Sequence, residues 1–282
     1  MGMRKHCSSS FRRTVSDPQT RICRNTGWTG KGLPAFNSLI VVILLLGSCA
    51  PVVKPPQRSA LEKGAEGTKE PVLPIPAPCS REEAEQWSET AATEVGSALK
   101  AANCYAFLAT TGENKALRLA DARTGRDLAE SAVQRYSESG LAHYLYAYLT
   151  GLEAENDPLR GLELVPVIES EARKAAELSP SIDHAGPFRM LGELYLRTPG
   201  MPISIGDVEE AIISFRQALT IAPGFAENRL GLAEALLKAE EATEACSQLH
   251  VLLTGMPPAG ESGAIWQKSL DLLKRVCTAK CD

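Results

Sequence analysis

Residues 188–223 read FRMLGELYLRTPGMPISIGDVEEAIISFRQALTIAP, and the order of residue types in this stretch decides the fold. Phe188, Leu191, Gly192 and Tyr195 recur at helical spacing, a Pro/Gly-rich break follows, and Ala211, Phe215, Ala218, Leu219 and Pro223 complete a second helical run. Small residues at Gly192, Ala211 and Ala218 let neighbouring backbones approach, while aromatics a turn away fill the space beside them. Pro223 has no N–H with which to continue a helix and marks the stop. One such pair cannot bury its apolar face alone, so it implies neighbours of the same kind.

The neighbours appear at fixed distances. A shift of 34 residues carries Ala211 onto Ala245, Phe215 onto Leu249, Ala218 onto Leu252 and Pro223 onto Pro257. Backward, Ala175 to Pro180 has the spacing of Ala218 to Pro223, and Ala132 to Ser137 echoes it with serine in place of proline. The stops therefore fall at 137, 180, 223 and 257, at intervals of 43, 43 and 34 residues. This punctuation resembles the tetratricopeptide repeat. The fold class that follows is all-α: an α-solenoid of about four tetratricopeptide-like helix pairs from residue 80 to 282, closed by a C-terminal capping helix.

Composition agrees with helices. The 282 residues are 44% hydrophobic but only 5% aromatic, and the alanine- and leucine-rich segments lack alternating β-branched runs. A net charge of −4 offers no concentrated basic face for nucleic acid. Residues 1–38 carry seven basic side chains against Asp17, and Leu39 to Leu46 is an apolar run far short of the ~20 residues a membrane-crossing helix needs. Leu46-Gly47-Ser48-Cys49 follows, and resembles the bacterial lipobox. Residues 1–48 are accordingly expected to be a lipoprotein signal peptide, with cleavage after Ser48 and a diacylglycerol group on Cys49. Ala50 then implies outer-membrane sorting by the enterobacterial rule, leaving the lipid as the membrane attachment. The prolines of residues 49–79 read as an extended tether, reaching ~3.1 Å per residue.

From Ser80 the first helix is expected to run to about Asn103, with Glu82 and Glu83 against the positive end of its dipole. Lys115 to Tyr136 comes next, with Gly125 expected to bend or break it. Leu141–Glu155 pairs with Leu162–Leu178, Phe188–Arg197 with Asp207–Ile221, and Ala226–Ala239 with Glu241–Thr254, before a final helix from Glu261 to about Cys277. An unbroken first helix would hold Cys79 and Cys104 ~36 Å apart, beyond disulfide range. A bridge among Cys246, Cys277 and Cys281 is compatible with the sequence, as is burial of free thiols.

No catalytic constellation emerges. The four histidines include no HExxH pair, no two cysteines have CxxC spacing, and there is neither a GxSxG elbow nor a P-loop. No cofactor or metal is therefore expected, and a binding role is. The nine-residue excess of two repeats is assigned mainly to connections between paired helices, Asn156–Gly161 and Thr198–Gly206. These would form one partner-contacting edge, with Pro199 stiffening a loop that presents Met201 and Ile203.

Several stretches together resemble a family: Ala142-His143-Tyr144-Leu145-Tyr146-Ala147, Asp183-His184-Ala185-Gly186-Pro187-Phe188-Arg189, Pro199 to Asp207, and Glu227-Asn228-Arg229 with Ala233-Glu234-Ala235. They are similar to the TatT components, tetratricopeptide lipoproteins of tripartite ATP-independent periplasmic (TRAP) transporters. Met201 stands where that family would place tryptophan, and Ala185 where it would place glycine. The resemblance implies a non-enzymatic periplasmic adaptor for the transporter's solute-binding subunit, with a small organic acid as a ligand of the groove. By likeness to tetratricopeptide arrays the groove would expose Tyr144, Tyr148, Arg189, Glu193, Arg197, Glu227, Glu234 and Lys238. Glu193 lies four residues from each arginine and can pair with both, so a solvated charge ladder is the plainer account of these side chains. The alternative function is a scaffold for outer-membrane, pilus or peptidoglycan machinery. Self-association is left open.

Overall fold

The computed structural model describes residues 75–254 and 261–277, all within one compact unit. The helices are α1 (Arg81–Thr90), α2 (Val95–Thr111), α3 (Lys115–Arg135), α4 (Gly140–Asn156), α5 (Pro158–Leu178), α6 (Gly186–Arg197), α7 (Val208–Ile221), α8 (Ala226–Lys238), α9 (Ala242–Leu253) and α10 (Glu261–Cys277). The chain is all-α, with no strand among the described residues. The expected signal peptide, Cys49, most of the expected tether, Pro257 and Cys281 lie outside those residues.

The periodic stops have a common physical form. α3, α5 and α7 end at Tyr136, Ser179 and Ala222, which share one backbone conformation (φ −139, −147 and −128°; ψ 64, 69 and 72°). Each of these residues donates its N–H to the carbonyl four residues back, on Ala132, Ala175 and Ala218. Ser137, Pro180 and Pro223 follow immediately. Each helix packs against the next, and α2 with α4, α4 with α6, α6 with α8 and α8 with α10 also touch.

Small residues set the closest approaches. Phe215 is fully buried, and a Cβ built on Gly192 or Gly231 would come within 2.8 or 2.5 Å of its ring, so α6 and α8 close on the aromatic of α7 only because both carry glycine. Gly125 works in the same way and does not break α3, which is continuous. A Cβ there would meet the Leu149 side chain at 2.7 Å and Tyr105 Cβ at 2.8 Å. The glycine admits two helices instead of bending one.

Two expectations fail at the level of local structure. The first helix is two: Ser80 caps α1 with a capping box through Glu83, α1 stops at Thr90, and α2 returns from Val95. Ten residues out and ten back bring Cys104 beside Cys79, and the two form a disulfide with Cα atoms 5.3 Å apart. Among the later cysteines, Cys246 bonds Cys277 and ties α9 to α10. The expected connection Asn156–Gly161 is also absent. Asp157 alone separates α4 from α5, because Pro158 occupies the first helical position, where its missing N–H costs nothing. The extra residues of that repeat lengthen α5 to 21 residues.

One polar group sits deep between α3, α4 and α5. Glu153 is 0% exposed and accepts from Arg123 Nε at 3.0 Å, Arg160 Nη1 at 3.0 Å and Arg126 Nη1. Arg123 also reaches Asp157 at 2.7 Å, so the charges beneath the helix junction are compensated.

Candidate functional site

Tyr144, Ala147, Tyr148, Gly151 and Glu155 recur on α4 at intervals of three and four, which places them on one face. Gly161, Leu162, Val165 and Ile168 do the same on α5, and Arg189, Met190, Glu193, Leu194 and Arg197 on α6. These three faces, with Thr198, Pro199 and Glu227, wall a groove of about 910 Å³. Its middle is apolar and its ends are polar.

The first end is built on a strained turn. Asp183, His184 and Ala185 all have positive φ, at 47, 54 and 66°, a left-handed conformation that costs a non-glycine residue ~1 kcal/mol or more. Polar contacts hold it. Gly186 N–H donates to Ile182 O at 2.8 Å, Arg189 Nη1 to Asp183 O at 3.0 Å, and Asn228 Nδ2 to His184 O at 2.9 Å. The Asp183 carboxylate accepts from the Tyr144 hydroxyl at 2.6 Å and pairs with Arg189, which also donates to Asn228 Oδ1 at 3.2 Å. The Phe225 ring stacks on His184 at 4.5 Å and lies 4.8 Å from the Arg189 guanidinium. Gly186 is required next to this network, since a Cβ would stand 2.7 Å from Tyr144 Cζ. Burial, and then the Asp183 carboxylate, push the Tyr144 hydroxyl well above its ordinary range, so it remains a neutral donor.

At the other end Arg197 pairs with Glu193 at 2.5 Å and Glu234 at 3.6 Å, and Glu234 also holds Lys268 at 2.5 Å. Burial works against the charge on Arg197, but Glu193, Glu234 and Glu155 outweigh it and make the guanidinium more basic than usual. Lys238 donates to Leu196 O at 2.5 Å.

The structure thus brings Tyr144, Tyr148, Arg189, Glu193, Arg197 and Glu227 to one groove, and leaves Glu234 and Lys238 outside its lining. Tyr144 is buried, at 1% exposure, instead of being presented to solvent. Glu193 pairs with Arg197, while Arg189 is held by Asp183, so the expected ladder through both arginines does not form. The loop Thr198–Gly206 closes on itself. Gly206 N–H donates to Pro199 O at 2.8 Å, Ile203 N–H to Gly200 O at 3.1 Å, and Ile205 packs against the Leu164, Val165, Ile168 and Leu194 cluster. Met201 and Ile203 are left 80% and 69% exposed, and Pro199 lines the groove mouth. Asp207 alone caps α7, accepting from Glu209 and Glu210 N–H. With all of Asn156–Gly161 but Asp157 helical, the expected edge of two connections is left with this single loop.

Sequence reasoning did not single out Gly151. A Cβ at this position meets nothing within 4 Å, whereas at Gly125, Gly186, Gly192 and Gly231 it would collide with a neighbour. Packing does not require this glycine, which costs a helix interior about 0.8–1.0 kcal/mol relative to alanine. What its missing side chain preserves is groove volume. Asp183 and Asn228 were visible within the quoted motifs, but nothing in the sequence revealed that they meet.

Among the described residues no group of His, Cys, Asp and Glu is placed to hold a metal ion, and no helix is long and apolar enough to cross a membrane. No protein-family model matches the chain, and a search of curated proteins finds no match.

Proposed function

We propose that the domain is a tetratricopeptide-like α-solenoid and that the chain is a non-enzymatic, lipid-anchored periplasmic adaptor of the TatT kind, binding the solute-binding subunit of a TRAP transporter and a small molecule in its groove. The repeated helix stops in one cap conformation, and the contacts between alternate helices, support the solenoid. An extracytoplasmic address is supported by the pairing of all four described cysteines, since disulfides persist in oxidising compartments.

The observation that carries the binding role is Gly151, an unobstructed helical glycine in the wall of an apolar groove that Tyr144, Arg189 and Glu227, from the stretches that resemble the family, also line. Replacing Gly151 by leucine should raise the melting temperature, because leucine is the better helix former by ~0.8 kcal/mol. The same change should lower affinity for the groove ligand at least tenfold. A stabilised variant with unchanged ligand and partner binding, read by calorimetry on the full chain, would remove the groove from function.

Met201 and Ile203 favour a protein partner at the groove mouth, whether the transporter subunit or, in the second reading, an envelope-assembly protein. The anchor has its own test. Palmitate supplied to a bacterial host should label the chain, and a Cys49→Ser chain that keeps the label refutes lipidation at that residue.

A further inference from the structure

Reading the groove as a ligand site, we infer that it selects an elongated organic cation: an apolar chain ending in an ammonium group. The trough from Tyr144 to Glu155 covers twelve residues of α4, or ~16 Å of helix, and is walled by Ala147, Leu152, Val165, Ile168, Met190 and Leu194. That length and lining suit an extended alkyl body.

The charge follows from which lining groups are already engaged. Arg189, partly buried, is held by Asp183 and Asn228, and Arg197 lies between Glu193 and Glu234. Glu155 and Glu227 line the same groove, and neither forms a salt bridge with a described residue; Glu155 acts on Arg197 only at longer range, as the last of its three carboxylate neighbours. An entering carboxylate has to displace Glu193 from Arg197, which leaves one carboxylate unpaired in a half-buried wall and adds another negative charge beside Glu155. An entering ammonium breaks no existing pair and gains a carboxylate partner. At Glu227, which is partly buried, the apolar walls thin the solvent around that contact and strengthen it, whereas at exposed Glu155 the gain is smaller. A carboxylate ligand is what arginine beside tyrosine suggests in the sequence. The observed pairing reverses that sign.

The test uses the full chain and two probes of equal length, decylammonium and decanoate, titrated calorimetrically below their micelle concentrations at pH 7. Decylammonium should bind at least tenfold more tightly, and raised salt should narrow the gap. The double variant Glu155→Gln/Glu227→Gln should bring the ratio of the two affinities to about one with an unchanged melting temperature, because neither side chain is in the core. Gly151→Leu should weaken both probes. Decanoate binding as tightly as decylammonium, or a preference that survives the double variant, overturns the cation assignment and leaves the groove standing. Binding of neither probe, or binding that Gly151→Leu does not touch, overturns the groove itself.

Discussion

Replacing Glu153 by alanine is expected to cost the domain about 3–5 kcal/mol, the range for breaking a buried ion pair from one side. The carboxylate is inaccessible to solvent and holds guanidinium groups from two other helices, Arg123 and Arg126 on α3 and Arg160 on α5. Removing it leaves three like charges converging on a cavity at the junction of α3, α4 and α5. The arginines are 41%, 21% and 45% exposed in their side chains and can swing partly to water, which places the effect toward the lower end of the range. Methionine, of similar volume and without charge, should cost less than alanine because it fills the space, although it too strands the arginines. Urea unfolding at neutral pH reads both variants. A loss below 1 kcal/mol for alanine would mean that the cluster adds charge at this junction without holding the helices together.

Phe215→Ala should be comparably damaging, at about 3–5 kcal/mol. The ring occupies a slot whose two sides are bare backbone at Gly192 and Gly231, and helices locked by neighbouring packing collapse poorly into the space left behind. The diagnostic is a reversal of sign. In the native chain Gly231→Ala drives a methyl group into the edge of the ring, against its Cε1, and should destabilise. In the Phe215→Ala background the ring is gone and alanine's better helix propensity, worth ~0.8–1.0 kcal/mol, should prevail, so the second change becomes stabilising. Additive effects in this cycle would show that the glycine and the ring do not meet in solution.

The residue types of the slot were legible in the sequence, since Gly192, Ala211, Phe215 and Ala218 recur as small residues beside aromatics, but that the Phe215 ring packs on Gly192 and Gly231 was not. The stops before Pro180 and Pro223 were legible too, from proline at the repeat spacing and not from proline alone, since Pro166 lies inside α5 and Ser137 follows the stop of α3. Other features were hidden for identifiable reasons. The turn between α1 and α2 spans Ala91, Ala92, Thr93 and Glu94, without glycine or proline, and so reads as continued helix. Pro158 lies within the expected connection Asn156–Gly161, although at the first position of a helix it is a starter. Glu153 lies among Leu152, Ala154 and Glu155 and looks like one more surface charge, since two of its arginines are 27 and 30 residues away in sequence. At the groove, the motifs gave the participants but not their pairing. Whether Arg189 is free for a ligand depends on Asp183, which reaches it through three successive left-handed residues that are not glycine.

The Cys79–Cys104 bond also fixes how the fold bears mechanical load. A pull on the chain ahead of residue 79 enters through a sulfur–sulfur bond into the middle of α2, which packs on α3 and α4, and so spreads at once into the helix array. The 25-residue span between the two cysteines, with all of α1 in it, is shunted out of the force path. Under tension in its oxidised form α1 carries no strain and its capping box stays intact. In the reduced form the same pull is carried by α1 itself, and passes from it to α2, on which it packs, and through the Arg81–Asp121 pair to α3.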